Sequence, residues 1–200
     1  MSYSQFKSLA SVKEAFGLTT QEGIRFLPNL RPIEPSPTLS NYLEYGLPVA
    51  IATGSEKARS ELIITPVLME VRQILKQQIS FFSGEEFTVD ESSGLNGPCD
   101  FLLSRSIEQV DIEAPVFVLV EAKKGDLKSG LGQCVAEMVA AQQFNHRKGR
   151  SIETIYGCLS SGTQWRFMQL QGSCVTLDFN DYPLMPVGQI LAFLSWMAEH

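Results

Sequence analysis

Residues 116–126, VFVLVEAKKGD, constrain the fold of this chain more than any other segment. A run of five apolar residues that ends at a glutamate is typical of a strand that is buried on both faces. The strand runs directly into mixed charge. Because strand side chains alternate between faces, Glu121 and Lys123 are predicted to share a face with Phe117 and Leu119. The segment therefore predicts a central strand with an acid and a lysine at one end.

The rest of the chain predicts an α/β domain with one main sheet. A helix is predicted over about residues 56–79, which Pro66 either kinks or divides in two. The predicted elements that follow are strands at 87–90, 99–104 and 115–124, a helix at 130–145, strands at 154–162, 164–171 and 173–179, and a short C-terminal helix.

Residues 26–48 contain five of the ten prolines and predict extended, irregular chain. This segment is either a linker or an arm that wraps the domain or a partner. We predict an N-terminal helical piece with a proline-rich arm over residues 1–52 and the main domain over residues 53–200.

The composition indicates a globular protein, with 44% hydrophobic and 19% charged residues. No apolar run approaches the ~18 residues of a membrane span, and no secretory signal opens the chain. A cytoplasmic protein without membrane association is therefore predicted. Four scattered cysteines predict free thiols, and with two histidines a metal would have to be held by carboxylates.

The charge balance bears on nucleic-acid binding in two ways. Sixteen basic and 22 acidic residues give a net charge of −6, which argues against a protein that coats nucleic acid without sequence preference, since such proteins are usually basic. Residues 121–150, however, carry six basic and three acidic residues, a local charge of +3. The local excess of basic residues is compatible with a nucleic-acid-binding site in this part of the chain.

Asp100 lies where a Gly-Pro turn enters the strand predicted at 99–104. If this strand pairs antiparallel with 115–124, Asp100 can lie close to Glu121. Two neighbouring carboxylates repel unless one is protonated or a cation lies between them. Oxygen ligands suit Mg²⁺, and Lys123 beside it could stabilise charge on a phosphate. Taken alone, a Glu-x-Lys sequence usually forms a solvated ion pair.

Two predicted helices add polar residues. Gln133 lies near the start of the second helix, with Glu137 one turn further along the same face. Glu56 and Glu61 lie near the start of the first helix, where the helix dipole favours acids. Taken alone, Gln133, Glu56 and Glu61 are each typical of a solvated helix surface.

Together, these residues resemble the PD-(D/E)xK nuclease superfamily, which has the restriction-endonuclease-like fold. The shared order is an acid on a first helix, Gly-Pro-x-Asp entering a strand, a strand ending in Glu-x-Lys, and a helix with Gln. The similarity spans roughly residues 55–170. The segments SEKARSELIITPVL, VLVEAKK and SSGTQWRFMQL are similar to N-terminal nuclease segments of type I restriction subunits and related uncharacterised bacterial proteins.

The resemblance implies an αβββαβ core with a central mixed sheet flanked by helices, and Mg²⁺-dependent hydrolysis of DNA, with Mn²⁺ as a substitute. The superfamily's Pro-Asp appears here as Pro98-Cys99-Asp100. The resemblance implies that Asp100 and Glu121 bind the metal, with the backbone carbonyl of Ala122 as a further ligand. It also implies that Lys123 is the catalytic lysine and Gln133 the accessory glutamine. The acid on the first helix, called the helix-1 acid, would be Glu61, with Glu56 as the alternative.

The alternative is a nuclease fold without turnover that serves as a nucleic-acid-binding or assembly module. The acidic balance and the apolar C-terminal helix, ILAFLSWM, favour it. That helix either packs on the core or offers a homodimer face, and core packing is favoured.

Overall fold

A mixed β-sheet of seven strands organises the part of the chain that the structure describes. The computed structural model describes residues 2–200, and for Phe179 the backbone alone. The strands are β1 (Thr19–Ile24), β2 (Ser80–Glu86), β3 (Pro98–Ser104), β4 (Val116–Ala122), β5 (Thr154–Ser160), β6 (Gln164–Gln171) and β7 (Cys174–Pro183). Their order is β1-β7-β6-β5-β4-β3-β2, with β1–β7 and β4–β5 parallel and the other neighbours antiparallel.

Helices cover both faces of this sheet. They are α1 (Leu9–Phe16), α2 (Pro37–Thr53), α3 (Glu56–Arg59), α4 (Thr65–Ile74), α5 (Leu131–Arg147) and α6 (Gly188–Glu199), with a π-helical turn at Ser60–Ile64 and 3-10 turns at Tyr3–Gln5 and Leu127–Gly130. One buried cluster joins α2, α4 and α6 to the sheet, and a second joins α1 and α5 to its other face. The prediction of an α/β chain whose mixed sheet is flanked by helices is confirmed, and α6 packs on the core as favoured.

β4 is buried along its whole length, which confirms the prediction of a strand covered on both faces. Its register with β3 shifts between Leu103 and Ser104, which leaves Phe117 as an extra residue in a bulge. Phe117 therefore packs in the α4 cluster, whereas Leu119 packs in the α5 cluster. The prediction that Phe117 shares the face of Leu119 was wrong, because the bulge interrupts the alternation.

Asn145 fastens α5 to the start of β4. Its Oδ1 accepts a hydrogen bond from the Val116 N–H (2.8 Å), and its Nδ2 donates to the Val116 carbonyl (2.7 Å). The side chain is buried, so water does not replace these bonds. They fix the position of α5 along β4, and with it the distance from the helix N-terminus to the last residues of the strand.

The first predicted helix is present from Glu56 to Ile74 as α3, the π-helical turn and α4. Pro66 has no N–H to donate to the Leu62 carbonyl, and the chain widens into the π-helical turn directly before it. The predicted end at residue 79 was wrong. Lys76 and Gln77 have left-handed backbone, with φ of 52° and 61°, which ends the helical path.

The prediction of extended chain over residues 26–48 was wrong from Pro37 onwards. Proline fits the first turn of a helix, where its missing N–H has no partner to lose, and Ser36 caps α2 with its side chain. Ser36 also donates its N–H and its hydroxyl to the buried Glu70 carboxylate of α4, at 2.7 and 2.9 Å. These bonds hold α2 against α4.

The segment between β1 and α2 lies on the domain. Leu27 is part of the buried cluster, and the Ile33 N–H donates to the Gly188 carbonyl (3.0 Å). Before this segment, β1 pairs in parallel with β7. The predicted division of the chain at residue 52 concerns folding units and stays a prediction.

The strand predicted at 87–90 was wrong as well. β2 ends at Glu86, and the chain then enters a turn in which Asp90 accepts hydrogen bonds from Ser92 and Ser93. Among residues 2–200, no helix combines the length and apolar character needed to cross a membrane.

Candidate functional site

The predicted site residues lie around one end of the sheet, where β4 and β5 both finish. The parallel pairing of these strands continues past the last residue of β4, since the Lys123 N–H donates to the Ser160 carbonyl (2.8 Å). Residues of α3 and the 3-10 turn that leads into α5 lie against this end. We call it the β4 end of the sheet.

Asp100 is held in place by the backbone of β4. The ladder between β3 and β4 ends with the pair Phe101–Val120. Beyond it, Asp100 Oδ2 accepts a hydrogen bond from the Ala122 N–H (2.8 Å). The Asp100 carboxylate therefore lies beside the peptide that joins Glu121 to Ala122, as the predicted antiparallel pairing required.

Glu121 is a buried acid with one oxygen unused. Only 2% of the residue is exposed, and Oε2 has no hydrogen-bond partner. Burial, followed by repulsion from Asp100, raises the pKa of Glu121 to about 7, although Lys123 opposes both effects. Oε1 forms an ion pair with the Lys123 ammonium group. Near neutral pH the carboxyl is thus poised between its two charge states.

Lys123 is enclosed by the elements around it. Its side chain is 17% exposed, and burial alone would lower its pKa. Glu121, with Glu56 and Asp100, outweighs burial and raises the pKa, so the ammonium group stays charged. The methylene groups run over Gly130, where a Cβ would lie 2.9 Å from Lys123 Cε. Because Gly130 has no side chain, the space next to it is free for the Lys123 side chain.

Of the two candidate acids on the first helix, Glu56 is the one that acts on the charges at the β4 end. The carboxylate of Glu56 raises the pKa of both Glu121 and Lys123. Glu61 instead forms an ion pair with Lys57 (2.8 Å), and its side chain is 58% exposed. Both glutamates line a cleft of about 280 Å³ that also reaches Asp100. The electrostatics therefore favour Glu56 over Glu61 as the helix-1 acid.

Gln133 and Glu137 bring α5 into the same charge network. Gln133 Nε2 donates to Glu137 Oε1 (3.2 Å), while Glu137 Oε2 is buried without a partner. Burial, followed by Glu121, raises the pKa of Glu137 well above its ordinary range. Sequence reasoning placed Glu137 beside Gln133 by helical spacing but did not include it in the site, because spacing carries no information on burial.

The residues at the β4 end fit a divalent cation by the type of their donor atoms. Within residues 2–200, no three His, Cys, Asp or Glu side chains are grouped as a metal site. Mg²⁺, however, commonly takes one or two carboxylates and completes its shell with water. Asp100, whose Oδ2 lies at the Ala122 N–H, and Glu121, whose Oε2 has no partner, are two carboxylates of this kind. Comparison of the chain with protein-family models, curated proteins and solved structures gives no match.

Proposed function

We propose that the protein hydrolyses phosphodiester bonds of DNA with the help of Mg²⁺. The observation that carries the proposal is the meeting of Asp100, Glu121 and Lys123 at the β4 end, with one carboxyl oxygen buried and unpartnered. A protein rarely keeps two acids and an enclosed lysine together without a function, because burying charge is costly.

The arrangement of elements supports the same proposal. A helix is followed by three antiparallel strands, a second helix and a strand parallel to the third, the same order of elements as in the αβββαβ core of restriction-endonuclease-like proteins. The acids and the lysine lie where the third of these strands ends. A further support is Gln133 on the helix that follows.

Hydrolysis of a phosphodiester requires positive charge next to the phosphate. A water molecule attacks phosphorus in line with the leaving oxygen, and the negative charge on the phosphoryl oxygens has to be neutralised. Asp100 and Glu121 would hold Mg²⁺, which would supply part of that positive charge. The Lys123 ammonium supplies a second part, and its ion pair with Glu121 holds it at the strand end.

A cleavage assay with matched lysine variants tests the proposal. The wild type should cut plasmid or oligonucleotide DNA with Mg²⁺ or Mn²⁺ and lose this activity with a chelator. Asp100→Asn and Lys123→Met should each lower the rate on the order of 100-fold or more, as loss of one charge-stabilising group does. Lys124→Met is the control, because Lys124 is the next residue, carries the same charge and is exposed. Equal losses at Lys123 and Lys124 would contradict the assigned site.

The alternative, a nuclease fold without turnover, has one observation in its favour. The outer face of α2 exposes Tyr42, Tyr45 and Val49, the kind of apolar side chains that serve in assembly. Binding of DNA without cleavage, at every Mg²⁺ or Mn²⁺ concentration, would support this alternative and end the hydrolase proposal.

A further inference from the structure

Arg59, the last residue of α3, has a guanidinium group that is mostly unpaired. Nη1 donates to the Ser161 carbonyl (2.7 Å), and Nε is buried without a hydrogen-bond partner. In residues 2–200, no carboxylate lies within ion-pair distance of this arginine. Leaving buried donors of a cation unpaired is costly, so an acceptor from outside the chain would be stabilising here.

The position of Arg59 connects it to the candidate site. Its anchor, Ser161, directly follows Ser160, whose carbonyl accepts the hydrogen bond from the Lys123 N–H. Consecutive α-carbons are ~3.8 Å apart, so Arg59 and Lys123 are attached to adjacent points of the chain at the β4 end. Glu56, one helical turn before Arg59, acts on the pKa of Lys123. The arginine and the lysine are therefore both held at the end of β5, by the carbonyls of two consecutive residues.

A second arginine at the same end shows what Arg59 lacks. Arg166 of β6 is in register with Leu159, which is in register with Glu121, so all three lie in one row across the sheet. Arg166 forms two hydrogen bonds to the Asp181 carboxylate, at 2.6 and 2.8 Å. Its charge is already neutralised within the chain, whereas the charge of Arg59 is available to a ligand.

We propose that Arg59 binds a backbone phosphate of the nucleic acid, next to the phosphate that faces Lys123. The inference rests on the proposed function and adds an anion-binding subsite to it. A guanidinium presents several N–H groups in a planar fork that matches phosphate oxygens. Since Nη1 is held by Ser161, the plane of the guanidinium is fixed in direction before the substrate arrives.

DNA binding in the presence of a chelator tests the subsite separately from cleavage. Binding of a short labelled duplex to the full chain is measured over a range of salt concentrations. Arg59→Met should weaken binding on the order of 10-fold, and should flatten the slope of log K against log salt by ~0.9, the value for one phosphate contact. Arg59→Lys should keep the slope but lose part of the affinity, because the charge remains and the fork is lost.

Arg166→Met is the matched control, since it removes the same charge from the same end of the sheet. It should leave affinity and slope unchanged, because Asp181 already pairs with Arg166. Wild-type binding by a folded Arg59→Met or Arg59→Lys variant would overturn the inference, and so would equal losses at Arg59 and Arg166. A wild type that binds no DNA overturns it too.

The two proposals fail in different ways. Arg59-dependent binding without cleavage removes the hydrolase proposal and leaves the subsite. Normal cleavage with binding that does not depend on Arg59 removes the subsite and leaves the hydrolase.

Discussion

Replacing Glu121 by glutamine isolates what an ionised carboxylate at the β4 end does to stability, because glutamine has the shape of the protonated acid. The pKa of Glu121 is about 7 in the folded protein, against an ordinary value of 4.5. The folded state thus holds this proton more tightly than the unfolded state. Stability conferred by the protonated form is complete below about pH 4.5 and is lost as the pH rises to about 7.

The size of the loss follows from the two pKa values. Each pH unit between them is worth about 1.4 kcal/mol, so the whole interval corresponds to about 3 kcal/mol. Only 2% of Glu121 is exposed, so solvent screening reduces this figure little. Glu121→Gln should therefore exceed the wild type by less than ~1 kcal/mol near pH 5 and by about 3 kcal/mol near pH 8.

Urea unfolding of both proteins, from about pH 5 to about pH 8, measures this difference directly. Subtracting the two curves removes every group that titrates equally in both proteins. A difference that stays constant over this range, or that grows with falling pH, would refute the reasoning about burial and Asp100. Mg²⁺ at about pH 8 should stabilise the wild type by ~2.7 kcal/mol at 100 times its dissociation constant, and the glutamine variant much less.

Three further substitutions test how the site is supported, each by the free energy of unfolding in urea. Gly130→Ala should cost about 1–3 kcal/mol and slow cleavage, because the new Cβ would lie 2.7 Å from Leu159 Cδ2 and 2.9 Å from Lys123 Cε; a fully stable variant would show that both side chains move aside freely. Asn145→Ala should cost about 2–5 kcal/mol, because it leaves both backbone groups of Val116 buried without partners; a loss below about 1 kcal/mol would show that water replaces the amide. Glu70→Ala should cost about 1–3 kcal/mol through the two hydrogen bonds that hold the start of α2, and an unchanged midpoint would contradict that role.

The site was more predictable from the sequence than its surroundings. β4 is a continuous apolar run, and an apolar run that ends in charge marks both the strand and its end. Asp100 could be placed near Glu121 because consecutive strands usually pair. The bulge at Phe117 could not be predicted, since it depends on how many residues β3 sets against β4.

The errors elsewhere have similar physical causes. Proline was read as a signal for extended chain, but Pro37 opens α2 and Pro48 lies inside it. The strand predicted at 87–90 lies just after β2, because Phe87, Thr88 and Val89 are residues typical of strands. The strand itself is formed earlier in the chain and contains Phe81 and Phe82. Glu137 is missing from the predicted site because charge and spacing do not reveal that α1 and the N-terminal turn cover α5.

The pairing of β1 with β7 joins the first strand of the chain to the last. Thr19 pairs with Cys174, so β1 is synthesised long before its partner exists. Contacts between such distant segments form late in folding, and until then β7 carries a row of unpaired backbone groups. Once β1 is in place, the free edge consists of TTQEGI, which is mostly exposed and carries Glu22. The chain's first strand thus protects its last one from pairing with other chains, a protection that every newly made molecule lacks until β1 and β7 have paired.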